Sequence, residues 1–269
     1  MFFLPFIRAG QGMLFNSYVY ILVFLPLTLL IYFNLARIRN SLVANYFLVG
    51  ASFFFYSYWE PRYLVLMLIS IIFNYSIGTL LSKMTSRSTA KTALITGIVL
   101  NIAALGYYKY ADFFIKSVNG LTGFDLAMRN IALPLAISFF TFQQIAYLVD
   151  SYRGLTKEYD FLNYCLFVSF FPQLIAGPIV HHKEMMVQFE NEKNRVFSHE
   201  NFHKGFFIFA MGLFKKTVIA DSFANWANYG YDNDISLTLA NAWITSLAYT
   251  FQLYFDFSGY ADMAIGIGQ

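Results

Sequence analysis

The chain has 269 residues, of which 58% are hydrophobic, 20% aromatic and only 12% charged, and its formal net charge is +3. Soluble domains carry about 25% charged residues, so this composition excludes an ordinary water-facing globule. So small a positive surplus offers nucleic acid no basic face, and a single cysteine, Cys165, excludes an internal disulfide.

Residues 1–12 are apolar, carry Arg8 and show no small-residue cleavage site. They read as an N-terminal extension or an upstream start rather than a removable signal. From residue 13 to 269 the chain reads as one membrane domain, with no repeat and no dividing linker. A helix needs about 20 mostly apolar residues to cross the hydrocarbon. Uncharged runs at 14–35, 42–58, 63–82, 92–108, 130–149, 161–180 and 235–255 approach that length. An eighth, 205–223, is apolar as far as Phe214 and is interrupted by Lys215 and Lys216. The expected fold class is all-α, a polytopic helical membrane protein. A barrel would show segments of roughly ten residues alternating apolar and polar, and none is present.

Loop charges set the orientation. Arg37 and Arg39 follow the first run, and Lys83, Arg87 and Lys91 follow the third, with no acidic residue in either loop. The positive-inside rule places both loops in the cytoplasm and the N-terminus outside. The turn Trp59-Glu60-Pro61-Arg62 then lies outside, with Trp59 as an interface anchor. Simple alternation fails at 161–180, because a full crossing would put Lys183, Lys193, Arg195 and Lys204 outside. Pro172 and the pair Gly177-Pro178 break that run, so a re-entrant segment is expected, with 165–183 as a cavity wall.

Polar groups inside apolar runs face a bundle interior or a pathway. They are Asn74, Asn101, Gln143, Gln144, Gln173, Asp256 and Asp262. Interhelical hydrogen bonding is the plain reading for each amide. A carboxylate costs about 2.5–3.5 kcal/mol at a helix centre, so Asp256 and Asp262 point to a functional cavity. Ser258 and Gly259 beside them are expected to open the helix to water. Lys215 and Lys216 either snorkel to the interface or meet phosphates.

His199-Glu200-Asn201-Phe202-His203 matches the zinc motif H-E-x-x-H, and Ser198 before it is a plausible N-cap. No third ligand follows on a recognisable element, so no metal site is assigned and a solvated first helical turn is the simpler reading. His181 and His182 are adjacent and point apart on a helix, which makes a poor metal pair. Either imidazole suits a base or a contact to an anionic acyl donor, and an interfacial pair is the plain alternative.

Four stretches together resemble the membrane-bound O-acyltransferase family, in its alginate O-acetylase branch. They are LPLAISFFTFQQIAYLVDSYRG (133–154), FFPQLIAGPIVHHKEM (170–185), GLFKKTVIADSF (212–223) and YTFQLYFDFSGYADMAIGIG (249–268). The segment from Met13 also resembles the family's usual beginning. The resemblance implies tilted helices around a funnel through the bacterial inner membrane. It also implies an acetyl group taken from a cytoplasmic donor, acetyl-CoA, and passed outward. An extracytoplasmic partner of the SGNH type would complete O-acetylation of an exported polysaccharide. Matching positions make Gln143, Asp150, Arg153, Gln173, His181, His182, Asp256, Ser258 and Asp262 the tunnel or substrate-lining candidates. At position 181 many relatives carry arginine, so the histidine here departs from the pattern. The family's catalytic histidine, in a Trp-His-Gly type motif, is expected beyond Gln269. None of the four histidines matches it, and the chain alone is expected to be an inactive fragment. The rival readings are a polysaccharide-export or transporter component and, from His199 and His203, an intramembrane metalloprotease.

Overall fold

The computed structural model describes residues 13–37, 41–156, 160–175, 177, 182–232 and 238–269. Every regular element among them is a helix. The backbone divides into two compact units. One draws on Met1–Arg39 and Arg195–Gln269, the other on Asn40–Ile175 and Ile179–Asn194. No linker announces this division, because each unit is assembled from separate stretches of chain.

The second unit begins with α2 (Ser41–Trp59) and α3 (Pro61–Lys83). Pro61 opens α3, where its missing N–H is not needed, and Lys83 sits in the last turn. The long α4 (Arg87–Thr122) ends at Gly123, whose φ of 71° needs no Cβ relief. Then α5 (Ile137–Arg153) ends in the same way at Gly154, with φ 72°. Tyr147 and Leu148 of α5 enter the α3–α4 pair where those helices have no side chains. A Cβ at Gly78 would strike the Tyr147 ring, and one at Gly97 would lie 2.8 Å from Leu148 Cδ1. Small residues let membrane helices approach closely, and these two set where α5 sits.

The expected break falls in place. The helix α6 (Phe161–Ser169) stops, Phe170 turns out of helical geometry, and α7 (Phe171–Leu174) restarts with Pro172 in its first turn. Ser52 Oγ accepts a hydrogen bond at 3.2 Å from the Phe171 N–H, which the break has freed. The helix α8 (His182–Glu190) follows. Pro178 and His181 lie outside the described residues, as do residues 1–12, Arg39 and the side chain of Trp59.

The first unit contains α1 (Tyr20–Arg37), wound as a π-helix over Tyr20–Phe24. Later come α9 (His199–Phe214), a π-helical stretch Lys215–Ala220, and α10 (Asp221–Tyr231), joined without a break. The helix α11 (Leu239–Gly268) packs antiparallel to this rod. Caps start both arms, with Ser198 Oγ accepting from Asn201 N–H and Thr238 Oγ1 from Asn241 N–H, each at 3.3 Å. Between the arms the backbones nearly touch. A Cβ at Gly212 would lie 2.6 Å from the Gly259 carbonyl oxygen, and one at Gly266 would lie 2.6 Å from that of Gly205.

Several boundaries differ from the sequence expectation. Lys215 and Lys216 do not interrupt their helix, since the π-turn carries both without a chain break. Gly259 does not open α11; it is the contact that admits α9. The run 130–149 becomes helical only at Ile137, after Pro134 and a left-handed Ala136 (φ 57°). The run 92–108 lies within a helix of 36 residues. Three described helices are long and apolar enough to cross a bilayer by length and composition, namely Tyr20–Arg37, Pro61–Lys83 and Arg87–Thr122, and Leu42–Tyr58 is a shorter apolar helix.

Candidate functional site

In the first unit, the charged residues of the rod and of α11 meet one another. Lys215 Nζ lies 2.5 Å from Asp262 Oδ2 and donates to Ser258 Oγ at 3.2 Å. Ser258 and Asp262 are one turn apart on α11, so a single ammonium reaches both. Lys216 serves the neighbouring stripe. Its Nζ lies 2.8 Å from Asp256 Oδ1 across the pair and 2.8 Å from Asp221 Oδ1 on its own helix. It also sits 5.9 Å from the centre of the Tyr260 ring, whose hydroxyl donates to Asn16 Oδ1 at 3.1 Å. Two ammonium groups thus face three carboxylates around a π-turn. Such turns concentrate at functional sites because the widened backbone re-aims neighbouring side chains. Chemically, the cluster is a fixed polar track that leaves one carboxylate more than the cations balance.

Asp256, Ser258 and Asp262 are therefore brought together, as their sequence context suggested. Sequence reasoning left the lysines undecided and passed over Asp221, Tyr260 and Asn16. The legible signal was the charge balance, since one apolar stretch carries Lys215, Lys216 and Asp221 and a later one carries Asp256 and Asp262.

The second unit holds a neutral network. Asn74 and Asn101 exchange side-chain hydrogen bonds at 3.1 and 2.7 Å between α3 and α4. Gln144 donates to Ser70 Oγ at 2.9 Å and accepts from the Tyr164 hydroxyl at 3.3 Å. Gln143 donates to the Phe167 carbonyl at 2.8 Å, which ties α5 to α6. The interhelical reading of these four amides holds. His182 is buried, 4.9 Å from the Phe167 ring centre and 5.6 Å from that of Tyr147, so it is not the interfacial residue the plain reading expected. Gln143 and His182 thus both meet Phe167, one at its carbonyl and the other at its ring. Gln173 and Asp150 are half-buried, and Arg153 is exposed at the end of α5. Cys165 is buried and free.

At the H-E-x-x-H sequence, Glu200 is taken up by Lys204 at 2.6 Å on the exposed first turns of α9. That hydrogen bond and the adjacent ammonium hold the Glu200 carboxyl below its ordinary value. Among the described residues, no three His, Cys, Asp or Glu side chains gather to hold a metal.

Comparison with known proteins extends across both clusters. Residues 53–268 match the membrane-bound O-acyltransferase family. The chain is 45% identical over 282 aligned positions to a peptidoglycan O-acetyltransferase of Helicobacter pylori, covering 95% of this chain and 54% of that one. It is 40% identical over 263 positions to a probable alginate O-acetylase of Pseudomonas aeruginosa, covering 95% and 49%. A more distant match, to a teichoic acid D-alanyltransferase of Bacillus subtilis, is 24% identical and covers 52% of this chain and 35% of that one. The chain spans about half the length of these curated relatives. On the family match and these identities, the chain belongs to the membrane-bound O-acyltransferase family.

Proposed function

We propose that the chain is the helical membrane part of an O-acetyltransferase serving an exported polysaccharide. The acetyl donor is a cytoplasmic thioester, acetyl-CoA. Its C–S bond breaks, the thiol leaves on the cytoplasmic side, and the acetyl carbon ends in an ester with a polymer hydroxyl outside. An extracytoplasmic protein of the SGNH type completes the transfer. The acceptor is alginate-type polysaccharide or, as the name of the Helicobacter relative suggests, the glycan of peptidoglycan. Acetyl is favoured over D-alanyl by the higher identity to acetylating relatives.

One observation carries this reading. The family match over residues 53–268 contains every lysine and aspartate of the charged hairpin. A charged donor and a sugar acceptor on opposite sides of a membrane need a polar route between apolar helices. In this reading Asp256, Ser258 and Asp262 line that route together with Lys215 and Lys216, and Gln143 and His182 belong to a separate polar site within the second unit. The base that activates the acceptor hydroxyl is supplied by a part of the longer protein outside these 269 residues, so this stretch alone transfers no acetyl.

The test is deletion of the complete gene, followed by measurement of base-released acetate on each surface polymer. Loss of ester acetate from one polymer is expected. Unchanged acetate on all of them overturns the proposal.

A further inference from the structure

Moving an acetyl group from an internal thioester to an external hydroxyl leaves a proton to be accounted for. The thioester loses its acetyl carbon and ends as a thiol in the cytoplasm, so its sulfur gains a proton there. The acceptor hydroxyl outside gives up its proton as the ester C–O bond forms. Acetyl thus moves outward as the equivalent of a cation. If each side settled its proton with bulk water, every turnover would carry one positive charge out of the cell. A potential of about 100 mV, negative inside, opposes such a movement by up to roughly fiftyfold in rate. If the proton instead returns through the protein, the exchange is electrically neutral.

The charged hairpin has the composition and the position of a return path. Arg195 and Lys204 mark the start of α9 as cytoplasmic. Measured from Gly205 at about 1.5 Å per residue, Lys215 lies roughly 15 Å along the rod and Asp221 roughly 24 Å. That is the outer half of a hydrocarbon layer about 30 Å thick. On α11, Asp262, Ser258 and Asp256 extend over about 9 Å beside them. The links are short. Lys216 Nζ is 2.8 Å from both Asp221 Oδ1 and Asp256 Oδ1, and Lys215 Nζ is 2.5 Å from Asp262 Oδ2 and 3.2 Å from Ser258 Oγ. Among the described residues, the titratable groups around Asp256 are Lys216 and Asp221 of the rod and Tyr260 of α11, whose hydroxyl donates to Asn16 ahead of α1. Carboxylates and ammonium groups take up and release protons, which the amides joining α3, α4, α5 and α6 do not.

We propose that the protein exchanges acetyl outward for a proton inward, and that this hairpin carries the proton. It passes from the Asp221–Lys216–Asp256 group to the neighbouring Lys215–Ser258–Asp262 group, and so toward the cytoplasmic thiol. Intramembrane carboxylates paired in this way are the usual parts of proton relays. Nothing larger fits between the charged ends, which touch at 2.5–2.8 Å in arms held by the glycine seam. The outer flanks of the same side chains stay available to line the acetyl route, so the two cargoes run side by side in opposite directions. The exchange rests on the proposed function, because its proton balance presupposes a thioester inside and a hydroxyl outside.

Inverted membrane vesicles carrying the full-length protein, with its own polymer and a pH-sensitive dye enclosed, test this when acetyl-CoA is added to the cytoplasmic face. Valinomycin with equal potassium on both sides first removes any potential. Ester acetate is expected to form with no proton appearing in the lumen; one lumenal proton per ester overturns the proposal. An imposed potential of about 100 mV, negative on the cytoplasmic face, is expected to leave the wild-type rate unchanged, whereas slowing toward fiftyfold overturns it. Asp256→Asn, close in shape but uncharged, assigns the path. The variant is expected to form ester more slowly and to be restored by a protonophore, which returns protons through the lipid, while the wild type does not respond. No response to the protonophore overturns the hairpin as the path, whether the variant acetylates at the wild-type rate or not at all. Wild-type vesicles that form no ester sink the acetyltransferase reading and the exchange with it; ester accompanied by lumenal protons sinks the exchange alone.

Discussion

The two units solve the same problem with different chemistry. In the α3–α4–α5–α6 bundle, polar contacts between helices are neutral: an Asn74–Asn101 exchange, and Gln143 and Gln144 bonded across α5. In the hairpin of α9, α10 and α11, they are ion pairs. Neutral bonds between membrane helices contribute about 0.6 kcal/mol on average, with little risk if one partner moves. A charge at mid-membrane costs about 2.5–3.5 kcal/mol before any partner is found. Charges are therefore a poor choice of glue where amides suffice, and glycine contacts already bring the hairpin arms together. Under the proposed function, the hairpin's polarity is kept for use rather than for assembly.

Breaking one charge pair should give the largest effect. Asp262→Leu strands the Lys215 ammonium beside Ser258 and is expected to destabilise the folded protein by up to about 3 kcal/mol. Adding Lys215→Met should restore most of that stability, read as thermal unfolding in detergent. Acetyl transfer by the full-length protein should stay lost in the double variant. A fully active double variant would reduce the pair to glue and erase the contrast between the units.

Next in size is the glycine seam. Gly212→Val pushes against the Gly259 carbonyl and should destabilise by about 1–3 kcal/mol. Gly50→Ala and Gly106→Ala, where the added carbon meets nothing, should leave unfolding unchanged or slightly improved. In the neutral bundle, Asn74→Leu leaves the Asn101 amide without its reciprocal bonds and should cost about 1–2 kcal/mol, while Asn74→Leu with Asn101→Leu should cost less.

The smallest effect lies at the polar start of α9. Glu200 has its folded value lowered by Lys204, so its contribution is complete above the ordinary carboxylate range and is lost as pH falls through the lowered value. Amide exchange in the first turn of α9 should accelerate on acidification, and Glu200→Gln should remove that pH dependence.

Much of the helical plan was legible because apolar runs of membrane length are hard to mistake. Pro172 foretold the break between α6 and α7, since a proline inside a helix removes a bond and clashes. Ends were less legible where polar residues stay helical. Asp256 and Asp262 ended the last apolar run on paper, but pairing with Lys216 and Lys215 lets α11 continue to Gly268. Lys109 likewise closed the 92–108 run in sequence, whereas α4 continues to Thr122 and its Asp112 and Asn119 clamp the segment that returns along it. His182 reads as polar and interfacial in one dimension; its burial depends on Tyr147 and Phe167, which only folding brings near.

The most direct test uses the full-length protein in inverted membrane vesicles with its polysaccharide acceptor and isotope-labelled acetyl-CoA on the cytoplasmic face. Label recovered as base-labile ester on the enclosed polymer, and abolished by the Lys215→Met and Asp262→Leu pair, is the expected result. Folded protein, intact donor and an unlabelled polymer would contradict a role in O-acetylation.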